Sequence, residues 1–235
     1  MPAASLLLIP TVLYEGQVDC LPAYILTAVQ QCDVFFVENE RTARRYLKLL
    51  WREMVIDNYE WHNIKEVTPD TKAAFTEAVR QHKTIGVISE AGCPGVADPG
   101  QQLVAWAQQM NVPVKPLVGP NSILLALMAS GMNGQQFHFA GYLPIDAAER
   151  TRTLKQLEAE SRQKSCTQIF IETPYRNNAL MEALVKTLQP QTQVCVAADL
   201  TGPTELVVTK TVAQWKGALP PLHKRPAIFL LYAGQ

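Results

Sequence analysis

The sequence has no excess of charge and no long hydrophobic run. Lys and Arg together number 21, and so do Asp and Glu, so the net charge is zero. Any contact with nucleic acid must therefore come from a local patch and not from a global positive field. No stretch approaches the roughly 18 apolar residues of a membrane span, and the apolar run at 6–9 is too short for a signal peptide. These absences predict a cytoplasmic protein without membrane contact.

Closely spaced cysteines and histidines are also missing. The five cysteines are odd in number and scattered, and none forms a C-x-x-C pair. This pattern predicts reduced thiols and argues against a disulfide framework or a zinc site. The histidines are isolated from potential partners at ligand spacing, so we expect no metal site; they are His62, His82, His138 and His223.

Several familiar catalytic motifs are absent from the sequence. There is no G-x-G-x-x-G after the first predicted strand and no G-x-x-x-x-G-K-[ST], which argues against a Rossmann dinucleotide site and a P-loop. Neither G-x-S-x-G nor H-E-x-x-H occurs. A serine hydrolase elbow and a zinc protease helix are therefore not expected.

The most informative stretch that is present covers residues 84–100. It begins with β-branched residues typical of a buried strand and continues as a loop with three glycines. It ends as a helix with Asp98 as the predicted N-cap, Pro99 at N1 and Gln101 at N3. Ligands of parallel sheets bind beyond the carboxyl ends of the strands, and glycines allow close approach to the backbone. The alternative is a tight structural turn. Cys93 in this loop could be a nucleophile, but no cation flanks it and no histidine is near in sequence, so we expect a packing residue.

The order of predicted elements indicates an α/β fold with two domains, 1–118 and 119–235. The first half alternates strands and helices, which is typical of a parallel sheet. In the second half strands follow one another closely, which indicates a mixed or antiparallel sheet. We expect 55–66 to be irregular. Besides the strand in 84–100, strands are predicted at 5–10, 32–37, 112–118, 137–143, 168–172, 193–200, 205–211 and 226–232, and helices include 147–163 and 178–188.

The helix after the second strand has one basic face. At 100° per residue its cations fall within one narrow arc opposite Tyr46, Leu47 and Leu50. Like charges on one face repel each other, and phosphates or an acidic partner would relieve that repulsion. A solvated surface is the alternative. The cations are Arg41, Arg44, Arg45, Lys48 and Arg52.

Six motifs in the same order carry a resemblance to a known family. The sequence is similar to the S-adenosylmethionine-dependent enzymes of the tetrapyrrole methylase fold, and within them to the branch that methylates small-subunit ribosomal RNA. It departs from that branch in the loop 10–16 and at Asn39, Tyr175 and Ala198. The motifs are S-E-A-G-C-P at 89–94 with D-P-G at 98–100, V-E-N-E-R-T at 37–42, V-G-P-N-S at 118–122 with A-S-G at 129–131, G-Y-L-P at 141–144, E-T-P-Y-R at 172–176 and A-A-D-L-T at 197–201.

The resemblance implies a fold and a cofactor. It implies two α/β domains, the first with a parallel and the second with a mixed sheet, S-adenosylmethionine in a cleft between them, and a homodimer. The backbones of the glycine loop would approach the methionine part of the cofactor, and Val96 would pack on it. The implied cofactor-binding residues are Ala91, Gly92, Cys93, Val96, Asn121, Ser122, Glu172 and Thr173.

The resemblance also suggests an acceptor, the ribose 2′-oxygen of ribosomal RNA. Glu38, Glu40 and Arg41 are the catalytic candidates, with either glutamate as the base; the alternative is that these acids stabilise the N-terminus of the next helix. Substrate-binding candidates are Arg44, Arg45, Lys48 and Arg176. Two other functions stay open: methylation of a small acidic molecule such as a tetrapyrrole, and a catalytically silent cofactor-binding adaptor.

Overall fold

The computed structural model describes residues 4–234 of the chain. The chain divides into two compact units, Met1–Asn121 and Ser122–Gln235, each built around one five-stranded sheet. Residues 1–3 and 235 of the two predicted domains lie outside the described residues. Within 4–234, no helix combines the length and the apolar character needed to cross a membrane.

The sheet of the first unit is parallel throughout, which confirms the prediction. Its strand order is β3-β2-β4-β1-β5. The central strands β2 and β4 are continuous β-branched and aromatic runs because helices cover both faces of the sheet. The strands are β1 (Ser5–Ile9), β2 (Val34–Val37), β3 (Glu60–Asn63), β4 (Thr84–Ile88) and β5 (Val114–Pro116).

Two helical layers enclose this sheet. Successive side chains of a strand point to opposite faces, so Phe35 belongs to one apolar cluster and Phe36 to the other. Helices α1 (Tyr24–Gln30) and α2 (Glu40–Leu50) pack on the Phe35 face. Helices α3 (Pro69–Arg80) and α4 (Gly100–Gln109) pack on the Phe36 face. The amphipathic pattern of each helix therefore fixes its side of the sheet.

The sheet of the second unit is mixed, again as predicted. Its order is β6-β7-β10-β8-β9, with β6 and β7 parallel and the other pairs antiparallel. Helices α6, α7 and α8 bury one face of the sheet. The elements are α5 (Ser122–Ser130), β6 (Phe137–Tyr142), α6 (Ala147–Lys164), β7 (Thr167–Ile171), α7 (Asn177–Thr187), β8 (Gln193–Ala198), β9 (Leu206–Thr211), α8 (Val212–Trp215) and β10 (Ala227–Tyr232).

Three local predictions differ from the structure. The stretch 55–66 was expected to be irregular, but it contains β3, an edge strand whose Trp61 stacks on Phe35 with ring centroids 5.0 Å apart. Helix α4 begins at Gly100, so Pro99 and not Asp98 occupies the N-cap position. Helix α2 ends at Leu50, which leaves Arg52 outside the predicted basic face. For β3, the stacking of Trp61 on Phe35 is a tertiary contact that outweighs the local pattern.

Substitution of Phe35 tests how much the stability of the first unit depends on its aromatic packing. The ring is fully buried and lies 5.4 Å from Tyr59 and 5.0 Å from Trp61, measured between centroids. We expect Phe35→Ala to lower the free energy of unfolding by about 3–5 kcal/mol. Val55→Ala, at a side chain that is 56% exposed, should change it by no more than about 0.5 kcal/mol. Urea unfolding measures both, and a loss below about 1 kcal/mol in Phe35→Ala would contradict the packing described.

Candidate functional site

The candidate site of the first unit lies where its parallel strands end. Because β1, β2, β4 and β5 run in the same direction, the loops that follow them gather at one edge of the sheet. The loop after β1 meets the loop after β4 through a hydrogen bond of 2.8 Å from the Thr11 N–H to the Gly92 carbonyl. Thr11 Oγ1 also donates to the Ser89 carbonyl, at 3.5 Å. The residues predicted around 91–96 are therefore part of a connected edge.

The glycine loop, defined here as residues 89–99, is also tied to two other loops. The backbone N–H of Glu90 donates to Glu38 Oε2 at 3.0 Å, which joins it to the end of β2. Cys93 Sγ lies 3.6 Å from the Gly119 carbonyl and 3.5 Å from the Pro120 carbonyl, in the segment after β5. The glycine loop thus contacts the loops after β1, β2 and β5, and these contacts preorganise its backbone.

Glycine is required at two positions of this loop. Gly92 and Gly95 have φ of +74° and +86°, in the left-handed region that side chains other than glycine rarely adopt. A Cβ on Gly92 would also lie 3.2 Å from both Leu13 Cδ2 and the Pro120 carbonyl oxygen, whereas one on Gly95 would meet nothing within 4 Å. The Asp98 carboxylate accepts N–H groups from Gly95 and Gly100, with contacts of 2.9 and 2.7 Å. Asp98 therefore holds the loop and the first turn of α4 together.

The carboxyl group of Glu38 is half-buried beside this loop. Burial raises its pKa, and the nearby charges of Glu90 and Asp98 raise it further, while the Glu90 N–H and the charge of Lys65 act in the opposite direction. A carboxylate with a raised pKa is a stronger base than a free one. Glu38 therefore has the chemical character expected of the predicted base.

Cys93 has the character of a packing residue. Burial raises the pKa of its thiol, and the hydrogen bond with the Asn121 side chain offsets only part of that effect. The thiolate is the nucleophilic form of cysteine. A thiol whose pKa is raised from an already high value is protonated at neutral pH, so the structure favours the packing interpretation.

The polar residues that follow β2 mainly stabilise the first turn of α2. Asn39 Oδ1 accepts the N–H groups of Arg41 and Thr42 at 3.1 and 3.3 Å, so Asn39 is the N-cap of α2. Glu40 occupies the first turn and forms an ion pair with Arg44. A carboxylate is favourable at a helix N-terminus, and this geometry corresponds to the helix-stabilising alternative for Glu40.

The basic residues of α2 are largely occupied within the unit. Arg44 lies over the Trp61 ring at 5.1 Å, and Arg45 pairs with Glu15 at 3.2 Å. Lys48 Nζ donates to the carbonyls of Arg52 and Met54 at 2.7 and 2.8 Å. Within residues 4–234, the exposed Arg41 side chain forms no ion pair. Of the predicted basic face on α2, Arg41 is thus the residue best placed to meet an external anion.

A cavity of about 220 Å³ opens beside the glycine loop. Its wall combines the loop after β1, the outer residues of α2 and the start of the glycine loop. Thr11, Thr42 and Glu90 supply polar groups to it, and none of the three was selected from the sequence. The residues that line it are Thr11, Val12, Leu13, Glu15, Gly16, Thr42, Ala43, Arg45, Tyr46, Leu49, Ser89, Glu90 and Ala91.

The remaining predicted site residues belong to the second unit. Glu172 follows β7 with its side chain 2% exposed. Its Oε1 accepts the Thr173 N–H and pairs with Arg176 Nη2, both at 2.6 Å. Ser122 is the first residue of α5. Arg176, predicted to bind substrate, is therefore committed in part to an ion pair with Glu172.

Comparison with known proteins identifies the family. Residues 16–215 match the family model described as Tetrapyrrole (Corrin/Porphyrin) Methylases, so the chain belongs to this family and the sequence resemblance is confirmed. Relatives named ribosomal RNA small subunit methyltransferase I occur in Mesorhizobium japonicum (32% identity over 187 residues, 80% of this chain and 61% of the relative) and Micromonospora olivasterospora (31% over 186 residues, 79% and 56%). The chain thus spans about three-fifths of the length of these relatives.

Solved structures share the fold. The methyltransferase CobJ aligns with a TM-score of 0.64 at 16% identity, covering 99% of this chain and 94% of that one. Uroporphyrin-III C-methyl transferase from Thermus thermophilus, complexed with S-adenosyl homocysteine, aligns with a TM-score of 0.52 at 17% identity, covering 98% and 97%. At these identities the likeness shows the fold alone, and it confirms the predicted α/β class.

Gly92 gives a direct test of the glycine loop. We expect Gly92→Ala to lower the free energy of unfolding by about 1–2 kcal/mol, because alanine is strained in the left-handed region and its Cβ would crowd Leu13 and Pro120. Gly134→Ala is the matched control, since a Cβ there meets nothing within 4 Å and the backbone is not left-handed. Chemical denaturation of both variants measures the difference, and equal stability would contradict the described geometry.

Proposed function

We propose that this chain is an S-adenosylmethionine-dependent methyltransferase. The observation that carries the proposal is the glycine loop, a backbone segment with two left-handed glycines that is held at the carboxyl edge of a parallel sheet by contacts to the loops after β1, β2 and β5. Membership of the methylase family supports it, as does a solved structure of the same fold that is complexed with S-adenosyl homocysteine.

The residues of the glycine loop fit such a cofactor. A Cβ on Gly92 would crowd Leu13 and Pro120, so the tight backbone here needs glycine, while Ala91 and Val96 are exposed, Val96 by 45%. We propose that Ala91, Gly92 and Cys93 present their backbones to the methionine part and that Val96 packs against it. The other proposed contacts are Asn121, Ser122, Glu172 and Thr173.

The proposed chemistry is a displacement at carbon. When bound, S-adenosylmethionine supplies a methyl group on a sulfonium, and its leaving group is a neutral thioether that needs no acid. The main task of this chain is then to hold the acceptor in line with the methyl group. We assign the removal of the acceptor proton to Glu38, whose carboxylate is a strengthened base. Glu40, paired with Arg44, is better suited to stabilising α2.

We propose RNA as the acceptor, with the ribose 2′-oxygen of ribosomal RNA as the specific target. Two observations support it: the names of the relatives and the exposed Arg41, which follows the base candidate by three residues and forms no ion pair within residues 4–234. Arg45 lines the cavity, whereas Arg44 and Lys48 make contacts within the unit.

A small acidic acceptor is the second candidate, because the fold is that of tetrapyrrole methylases. The cavity at the glycine loop, about 220 Å³, is smaller than the roughly 300–1,000 Å³ of typical ligand pockets. That size fits part of a nucleotide better than a macrocycle. Turnover that does not change with salt would favour the small molecule, since RNA binding weakens steeply with salt.

The proposal also includes a cellular location and an oligomeric state. All five cysteines have free thiols, which is compatible with the reducing cytoplasm that we propose as the location. The homodimer implied by the family resemblance stays a prediction.

S-adenosylhomocysteine should stabilise the protein against heat. At about 100 times its dissociation constant a ligand adds about 2.7 kcal/mol to the free energy of unfolding, which corresponds to a rise in Tm of roughly 5–10 °C for a chain of this size. Differential scanning fluorimetry measures it. Gly134→Ala should keep the shift and Gly92→Ala should lose most of it. No shift at millimolar ligand would refute the cofactor proposal and favour the silent adaptor.

Arg41 tests the RNA acceptor. We expect Arg41→Glu to weaken RNA binding and to reduce the slope of log K against log salt by about 1, because one phosphate contact is lost. The thermal shift with S-adenosylhomocysteine should persist. Arg80→Glu is the control, since Arg80 is an exposed arginine on the other helical layer. Filter binding across a salt series gives the result, and normal binding and turnover by Arg41→Glu would contradict the assignment.

A further inference from the structure

Two loops of the second unit are bound firmly to each other. One covers 173–176, after β7, and the other covers 221–226, before β10. The Lys224 N–H donates to the Pro174 carbonyl at 3.0 Å, and Asn177 Nδ2 donates to the Arg225 carbonyl at 2.7 Å. The Leu222 N–H adds a bond of 2.9 Å to Asn178 Oδ1. The pair therefore forms a fixed surface and not two independent flexible loops.

This surface presents an aromatic ring to solvent. Tyr175 is 71% exposed, although it sits between segments that are well ordered by hydrogen bonds. The His223 ring makes a T-shaped contact with it, with centroids 6.0 Å apart and an interplanar angle of 76°. Such a contact covers at most one face of the tyrosine ring, so this largely exposed ring keeps a face open to solvent. We call Tyr175, His223 and Lys224 the Tyr175 platform.

Two of the cations around the platform form internal ion pairs, and a third is exposed at the surface. Arg176 pairs with Glu172 at 2.6 Å, and Arg225 Nε pairs with Asp199 at 2.7 Å. The two arginines are thus neutralised by carboxylates that are almost fully buried. Lys224 is exposed and forms no ion pair within the described part of the chain. It is therefore the free cation beside the exposed ring.

The same region has polar atoms without internal partners. Among residues 4–234, few buried side-chain nitrogen or oxygen atoms lack a hydrogen bond, and Arg176 Nε, Asn177 Oδ1 and Thr201 Oγ1 are among them. Thr201 lies in the turn after Asp199, which Arg225 joins to the platform. Unsatisfied buried groups are uncommon in folded proteins and call for an explanation such as a functional role. His223 also lines a shallow open depression next to Thr204.

Resting on the proposed RNA acceptor, we propose that the Tyr175 platform binds a single-stranded segment of the RNA substrate. Tyr175 stacks on one base, and Lys224 contacts an adjoining phosphate. An exposed aromatic face next to a cation is the combination by which proteins hold unpaired bases. A duplex, whose bases are stacked inside it, offers no partner for the ring.

The test uses the whole chain and a fluorescein-labelled oligouridine of 12 nucleotides as the probe. We expect Tyr175→Ala to weaken binding roughly 10- to 100-fold, which is the effect of losing one stacked base. Tyr175→Phe and Tyr175→Trp should bind as the unaltered protein does, because both retain an aromatic face. Phe137→Ala, which removes an exposed ring at the start of β6, is the matched control and should have no effect.

Lys224 is tested separately through salt dependence. Lys224→Ala should reduce the slope of log K against log salt by about 1. Lys186→Ala is the control, because Lys186 is exposed at the last turn of α7, about 14 Å along the helix from its start. Equal slopes for the two variants would overturn the phosphate contact.

The outcomes separate this inference from the proposed function. If Tyr175→Ala binds the probe normally, the platform is refuted, while the thermal shift with S-adenosylhomocysteine and methylation of ribosomal RNA can still support the methyltransferase. If the unaltered chain binds no RNA but shows the thermal shift, the proposals of the platform and of an RNA acceptor are both refuted, and the cofactor proposal is supported. If RNA binds through Tyr175 without any thermal shift, the platform stands and the methyltransferase fails.

Discussion

The arrangement of the loops at the sheet edge of the first unit depends on the contacts of the Gly92 backbone. Its carbonyl accepts the Thr11 N–H at 2.8 Å, and a side chain there would press on Leu13 and Pro120. Gly119 is more tightly confined, because a Cβ on it would lie 2.1 Å from Pro10 Cβ. Backbone segments that approach this closely leave few arrangements open to the loops. The positions of the loops at this edge are therefore set mainly by close backbone contacts.

The charges of the first unit illustrate how a surface pattern is altered by folding. On a helical wheel α2 has a continuous basic face, yet its cations meet two acids, an indole ring and two carbonyl groups. Each of these contacts satisfies the cation locally and reduces the field it projects into solvent. Arg41, at the first turn, is the exception that can act outward. The electrostatic attraction of α2 for an anion is thus concentrated at Arg41 and not spread along the whole basic face.

The parallel first sheet and the mixed second sheet could be predicted from the sequence, because strands alternate with helices in the first half and lie close together near the end of the second. It missed β3, in which Trp61 packs by stacking on Phe35, a residue distant in sequence. The glycine loop was visible from its composition. The cavity was not, since Thr11, Thr42 and Glu90 come together only when two loops and α2 meet. The partner of Arg45, Glu15, is tertiary in the same way.

The Tyr175 platform and the proposed base Glu38 require different kinds of interaction. An interaction with a base or a phosphate, such as that of Tyr175 or Lys224, is made equally before and during the reaction, so it contributes to affinity. An interaction of Glu38 with the acceptor proton strengthens only as that proton leaves, so it contributes to the rate of the chemical step. The first kind needs exposed groups on a firm support, as the loops around Tyr175 provide. The second needs a carboxylate partly removed from water, and the Glu90 N–H holds Glu38 in that position.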